Sequence, residues 1–133
     1  MADLAERLSV YTQALNVRTQ RHQLLASNVA NADTPNYKAR DIDFSKAMQL
    51  AMSGREGGVS LARTASGHLS GNAMGNGLVQ FRREVQSAVD GNTVDMDVER
   101  AQMAENAMQY EILTKLVGDR IQGMRSAIAS NQG

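Results

Sequence analysis

Apolar residues recur in alternating steps of four and three at both ends of the chain, and this periodicity restricts the fold more than any other feature. The first stripe runs Leu4, Leu8, Tyr11, Leu15, Arg18, His22, Leu25, Val29 and Ala32. The second runs Met96, Arg100, Met103, Ala107, Tyr110, Thr114, Val117, Ile121, Met124 and Ile128. Heptad spacing puts these positions on one narrow helix face, suited to packing against another helix. Helices are expected from about Asp3 to Asn31 and from about Asp95 to Ser130. Asp3 and Glu6 have the spacing of a capping box, Asp95 or Asp97 can cap the second helix, and Glu99 adds negative charge to its first turn. At about 1.5 Å per residue, each helix reaches roughly 40 to 50 Å. Gly118 and Gly123 lie inside the second, each costing about 1 kcal/mol relative to Ala. They are either tolerated or let a neighbouring helix come close.

The expected fold is mainly α: long N- and C-terminal helices paired, parallel or antiparallel, as a coiled-coil-like hairpin, with a short irregular or partly β middle. Segment 1–31 is the first core helix, 32–93 a turn and outer region, and 94–133 the second core helix. A two-helix pair leaves faces over. Val10, Val17 and Leu24 lie off the first stripe, and Met108, Ile112 and Leu116 off the second, so both sets call for further partner helices. Composition bears on this. The chain has 133 residues, no Trp and 4% aromatics, and many of its 42% hydrophobic residues are Ala. Such a chain makes a thin core alone. Copies or homologous subunits are the most economical source of cover. A closed intramolecular bundle is the alternative, weakened because the middle offers no third long amphipathic helix.

The middle opens with turn chemistry. Pro35, the single proline, removes a backbone donor, and Asn36 tolerates a left-handed conformation, so the first helix should stop near Asn31. Thr34 to Tyr37 then redirect the chain. Ser45 to Met52 reads as a short helix, with a Gly-rich stretch after it. Val59, Leu61 and Ala65 fit a short strand, Ser66 to Gly77 a loop, and Leu78 to Gln86 a strand or extended arm. Asp90 to Asn92 signals a turn. Ordering of this region by neighbouring subunits is expected.

Several functions fall away. The 14 basic residues balance 14 acidic ones, unlike the basic surface of a nucleic-acid binder. With no Cys, disulfides, thiol nucleophiles and Cys-based zinc sites are excluded. No apolar run is long enough to span a membrane, and the N-terminus does not read as a cleaved signal peptide. His22 interrupts the first stripe, and His68 sits in a Gly/Ser loop; two histidines make a poor metal site. Asp41 and Asp43 would share a face in a strand, as paired carboxylates might, but no partner base is evident. Asp90, Asp95 and Asp97 lack the full spacing of a calcium loop and read as turn and cap residues. No catalytic residue, metal, cofactor or small-molecule substrate is expected.

The stretch ASNVANADTPNYKARDIDF, Ala26 to Phe44, resembles the N-terminal signature of the bacterial flagellar axial proteins, which form the rod, hook and hook-associated structures. Asn28, Asn31, Asp33, Thr34, Pro35, Asn36 and Tyr37 fall within it. Ser27 stands where Ala is usual, and Asn36 where Gly is usual, a mild change because both visit the left-handed region. The continuation with Asp41, Asp43 and Phe44 is similar to proximal-rod members in particular. So is DGNTVDMDVERAQMAENAMQYE, which contributes Asp90, Gly91, Asn92, Asp95 and Asp97. The short middle, without a large inserted domain, agrees.

The resemblance implies a structural subunit that polymerises helically, transmits torque and lines a protein-export channel. Its assembly seam would be Leu4, Leu8, Tyr11, Leu15, Leu25 and Val29 with Met103, Ala107, Tyr110, Val117, Ile121 and Met124. Asp41, Asp43 and Phe44 would anchor the redirected segment, Phe44 as an apolar plug and the aspartates through polar contacts; ordinary turn and surface roles are the alternative. Implied partners are copies of the chain, the rod proteins FlgC and FlgF, the adaptor FliE, the MS-ring protein FliF and the flagellar type III export apparatus. The implied place is the basal-body rod in the periplasmic space, reached without a cleaved signal peptide. Two main alternatives stand beside this. The sister proximal-rod protein FlgC pairs the same signature with a different continuation. A soluble coiled-coil adaptor or secretion chaperone would need neither turn motif. A small carboxylate hydrolase, a third, would need a concave pocket around Asp41 and Asp43.

Overall fold

A computed structural model describes residues 2–53, 79–83 and 89–130, with side chains from residue 6 onward. The order is α1 (Ala2–Ala30), β1 (Arg40–Ile42), α2 (Phe44–Met52), β2 (Val79–Phe81) and α3 (Met96–Ser130). No Gly or Pro interrupts α1. Its Thr12 and Thr19 hydroxyls bond back to the carbonyls of Leu8 and Leu15, so their oxygens are satisfied within the helix itself. Asp95 caps α3 by accepting from the Asp97 and Val98 amides at 3.0 and 3.2 Å.

The two long helices are antiparallel. Asn106 donates to the Arg18 carbonyl, Arg21 reaches Gln102 and Asn28 reaches Glu99, so α3 descends as α1 ascends. The α1 residues bonded to α3 are Arg18, Arg21 and Asn28. Ala14 and Leu25, which continue their four-three alternation, are buried. Arg18 and Asn28 are buried as well, whereas His22 is exposed. An apolar pattern does not register the polar Arg21 and Asn28.

Val17 and Leu24 do not wait for another subunit. Val17 is buried with Ile42 and Ala47, and Leu24, Phe44, Met48 and Val79 pack against that cluster. The short α2 and the two-stranded ribbon therefore cover this side of α1, correcting the expectation that both residues need further partner helices. The ribbon is antiparallel, with Arg40 opposite Phe81, Asp41 opposite Gln80 and Ile42 opposite Val79. The stretch from Leu78 thus supplies a strand. Asp41 and Asp43 do not share a strand face, because β1 ends at Ile42. Asp43 instead caps α2, accepting from the Lys46 amide at 3.2 Å.

No comparable cover reaches α3 among the described residues. Met108, Ile112 and Leu116 are 64%, 54% and 42% exposed. Among the described residues a Cβ built at Gly118 or Gly123 would meet nothing within 4 Å, so no described helix approaches either glycine. No described helix is long and apolar enough to cross a membrane. The strand expected at Val59, Leu61 and Ala65, the loop from Ser66 to Gly77 and His68 lie outside the described residues.

Candidate functional site

The residues singled out in the two turn motifs converge where α1 ends and α3 begins. A helix end leaves carbonyls without intrahelical partners. Here the Asn92 side chain, 5% exposed, fills that need from across the molecule. Its Nδ2 donates to the carbonyls of Asn31, Ala32 and Thr34 at 2.8 to 2.9 Å. The Asn92 Oδ1 accepts from its own Val94 amide. Asn36 takes φ 59° as its side chain type permits, and its amide donates to the Asp90 carbonyl at 2.9 Å. The Thr93 amide donates to the Tyr37 carbonyl, and the Ala39 amide to Thr93 Oγ1. Gly91 sits at φ 73°, where a Cβ would come within 2.6 Å of Asn36 Oδ1. The two motifs are thus halves of one lock. Pro35 and Asp33 are exposed at its rim.

Next to the lock, Asn28 is fully buried and acts as a surrogate strand for Arg40. It donates to the Arg40 carbonyl at 2.8 Å and accepts from the Arg40 amide at 3.0 Å. It also donates to Glu99 and accepts from the Tyr37 hydroxyl. Each polar end is matched, as a buried amide requires.

Asp41 is the hub of a closed ionic circuit. Arg21 grips it with two nitrogens, at 2.8 and 3.1 Å, and also donates to Gln102. Arg82, just past β2, donates to Asp41 at 3.0 Å and to the fully buried Glu99. Four elements meet here: α1, β1, the end of β2 and α3. Burial alone would raise the Asp41 carboxyl pKa, but hydrogen bonds from Arg21, Arg82 and the Ile42 amide outweigh it and hold it below the usual carboxylate range. The bond to Asp41 in turn raises Arg21. Arginines and carboxylates here bond to one another and leave no free nucleophile–base pair. Among the described residues no cluster of three ligands fits a metal ion. Such an arrangement fixes the angle between ribbon and helical pair.

The remaining expected residues are distributed as follows. Leu8, Tyr11, Leu15 and Val29 on α1, and Met103, Val117 and Met124 on α3, are half-buried, while Leu25 is buried. Ala107, Tyr110 and Ile121 are exposed in the single chain, and Leu4 lies outside the described side chains. Phe44 is half-buried beneath the Arg18 guanidinium, 3.7 Å from its ring centroid. Asp95 and Asp97 are exposed at the start of α3. Sequence reasoning misses Arg21, Arg82, Gln102 and Asn106 altogether and reads Glu99 only as a helix-start charge. The available signal is the polar break at Arg18 and His22 in the first stripe.

A family model described as flagella basal body rod protein matches residues 8–38, most of α1 with the first half of the lock. The flagellar basal body rod protein FlgB of Salmonella typhimurium is 45% identical over 121 residues, covering 87% of this chain and 88% of that protein. The FlgB of Escherichia coli is 42% identical over 123 residues, covering 89% of each. That of Cereibacter sphaeroides is 40% identical over 129 residues, covering 96% of this chain and 98% of its own.

Proposed function

The chain belongs to the FlgB family of flagellar basal body rod proteins, and from that premise we propose a purely mechanical function. It is a structural subunit of the rod. Subunits polymerise helically, transmit torque and line the protein-export channel. The observation that supports this best is the contrast within the chain. Its lock and ionic circuit are internally satisfied, whereas the apolar face of α3 at Met108, Ile112 and Leu116 is left open. A rigid joint with an uncovered helix face suits a head-to-tail contact that does not close, and such contacts build helical tubes.

In this reading segment 1–31 and segment 94–133 form the inner core of the tube, and 32–93 the turn and outer region. The seam is Leu4, Leu8, Tyr11, Leu15, Leu25 and Val29 with Met103, Ala107, Tyr110, Val117, Ile121 and Met124. Neighbours are copies of the chain, FlgC, FlgF, the adaptor FliE and the MS-ring protein FliF. The subunit reaches the periplasmic rod through the flagellar export apparatus. No catalytic step is assigned, because the acids and bases of the joint neutralise one another. A soluble adaptor or chaperone is not favoured: it has no use for the lock, and the relatives span the chain as rod proteins. FlgC is not favoured either, since these relatives are FlgB proteins over nearly their whole length.

The test is a charge on the seam. Leu15→Asp, or Tyr110→Asp, should block rod assembly in a strain lacking its own copy while the subunit is still exported. Normal rods carrying Leu15→Asp would contradict the proposal.

A further inference from the structure

Among the described residues, Arg18 is a buried cation with an unmatched donor. It is 8% exposed, wedged between α1, α3 and the start of α2. The Phe44 ring lies 3.7 Å below its guanidinium and fixes the plane. Its Nε is buried without an acceptor, and no ion pair joins it to any described residue. Its neighbours behave differently. Arg21 and Arg82 are also largely buried, at 12% and 20% side-chain exposure, yet each holds Asp41 and a second acceptor.

Two further orphans lie on the facing helix. Asn106 Oδ1 and Gln109 Oε1 are buried without donors. Among the described residues the acid whose charge acts on Arg18 is Glu105, which is exposed and accepts from the Gln109 side chain at 3.2 Å. Burial and the adjacent Arg21 charge disfavour the Arg18 cation, and Glu105 offsets this only in part. A guanidinium has five donors in a rigid fork matched to a carboxylate. Leaving the buried Nε unmatched destabilises the isolated chain.

We propose that Arg18, set on Phe44, is a socket for a carboxylate side chain from a neighbouring copy of this chain in the rod. The inference rests on the rod-subunit reading above and specifies where one subunit grips the next. A second copy is the favoured source on charge grounds. The chain is neutral, with 14 basic and 14 acidic residues, so an unmatched internal cation implies unmatched acids outside. Glu111 and Asp119 are exposed on α3 and form no ion pair with described residues.

The socket has an unusual signature: it should cost the free chain stability and supply it to the assembly. Arg18→Met keeps the length and the contact with Phe44 but removes the unmatched charge. The purified variant should melt at the same temperature as the parent or higher, while rods in isolated basal bodies, and the motility halo, fall at least tenfold. Arg18→Lys, which keeps the charge but loses the fork, should restore rods only partly. Glu111→Gln combined with Asp119→Asn should reproduce the rod loss of Arg18→Met. A lower melting temperature for Arg18→Met, mirrored by Glu105→Gln, would mean that Arg18 is matched within its own chain, and would overturn the socket. Rod loss with Arg18→Met but not with the double acid variant would overturn the second copy as the donor. Parental-level rods with Arg18→Met would overturn this inference alone, whereas a parent chain that enters no rod would overturn the rod reading with it.

Discussion

Asp41 shows how much can depend on one carboxyl. Two arginines and a backbone amide converge on it, and its pKa is held down as a result. A depressed folded-state value means that the ionised form stabilises the fold above the unfolded pKa, about 4 for Asp. That contribution is lost as the pH falls through the lower folded value. Asp41→Asn should therefore cost about 2 kcal/mol at pH 7, less than a fully buried pair would because the carboxyl keeps some exposure. The difference between variant and parent should shrink below about pH 4. Urea melts at pH 7 and pH 3 check both. Asn92→Ala strips a donor from three carbonyls at the end of α1. It should cost about 2 kcal/mol and speed amide exchange between Asn31 and Tyr37. Gly91→Ala must place a Cβ at positive φ and against Asn36, so a loss of about 1–2 kcal/mol is expected in the same melts.

At the scale of elements, the hairpin has two unlike halves. Near the lock, α1 and α3 are joined by Asn28, Arg21, Glu99, Gln102 and Asn106. Toward the free ends, Leu8, Tyr11, Val117 and Met124 are only half-buried. Amide exchange of the free chain should be slowest from about Arg18 to Asn28 and from about Glu99 to Asn106, and fast toward both tips. Uniform strong protection along both helices would contradict this. The same division explains what could be read from sequence. The existence and extent of α1 and α3 follow from periodicity and caps, and the turn after Asn31 follows from Pro35 and Asn36. The polar bonds that α1 makes to α3 do not follow, because apolar spacing does not register Arg21 and Asn28. Arg82 meets Glu99 only through folding of the ribbon, and no local pattern carries such long-range pairs. The lock was half legible: both motifs stand out in sequence, but not that Asn92 closes the carbonyls behind Asn31.

The whole molecule explains its own spare composition. Few aromatics and much Ala leave a thin core, and the described structure spends it on α1, with α2 and the ribbon over Val17. Among the described residues Met108, Ile112 and Leu116 of α3 stay exposed, which under the proposed function leaves them for a neighbouring copy. A net charge of zero avoids mutual repulsion when copies stack. Ile112 is 54% exposed in the free chain, so Ile112→Glu should change its stability by about 1 kcal/mol or less, yet it should abolish rods in complemented cells. The most direct measurement is an electron-microscopy reconstruction of the basal-body rod that contains this chain. The account predicts a helical tube with α1 and α3 on the inside and with Met108, Ile112 and Leu116 buried against a neighbouring subunit. A rod in which those three residues face solvent, or in which the chain is absent, would contradict it.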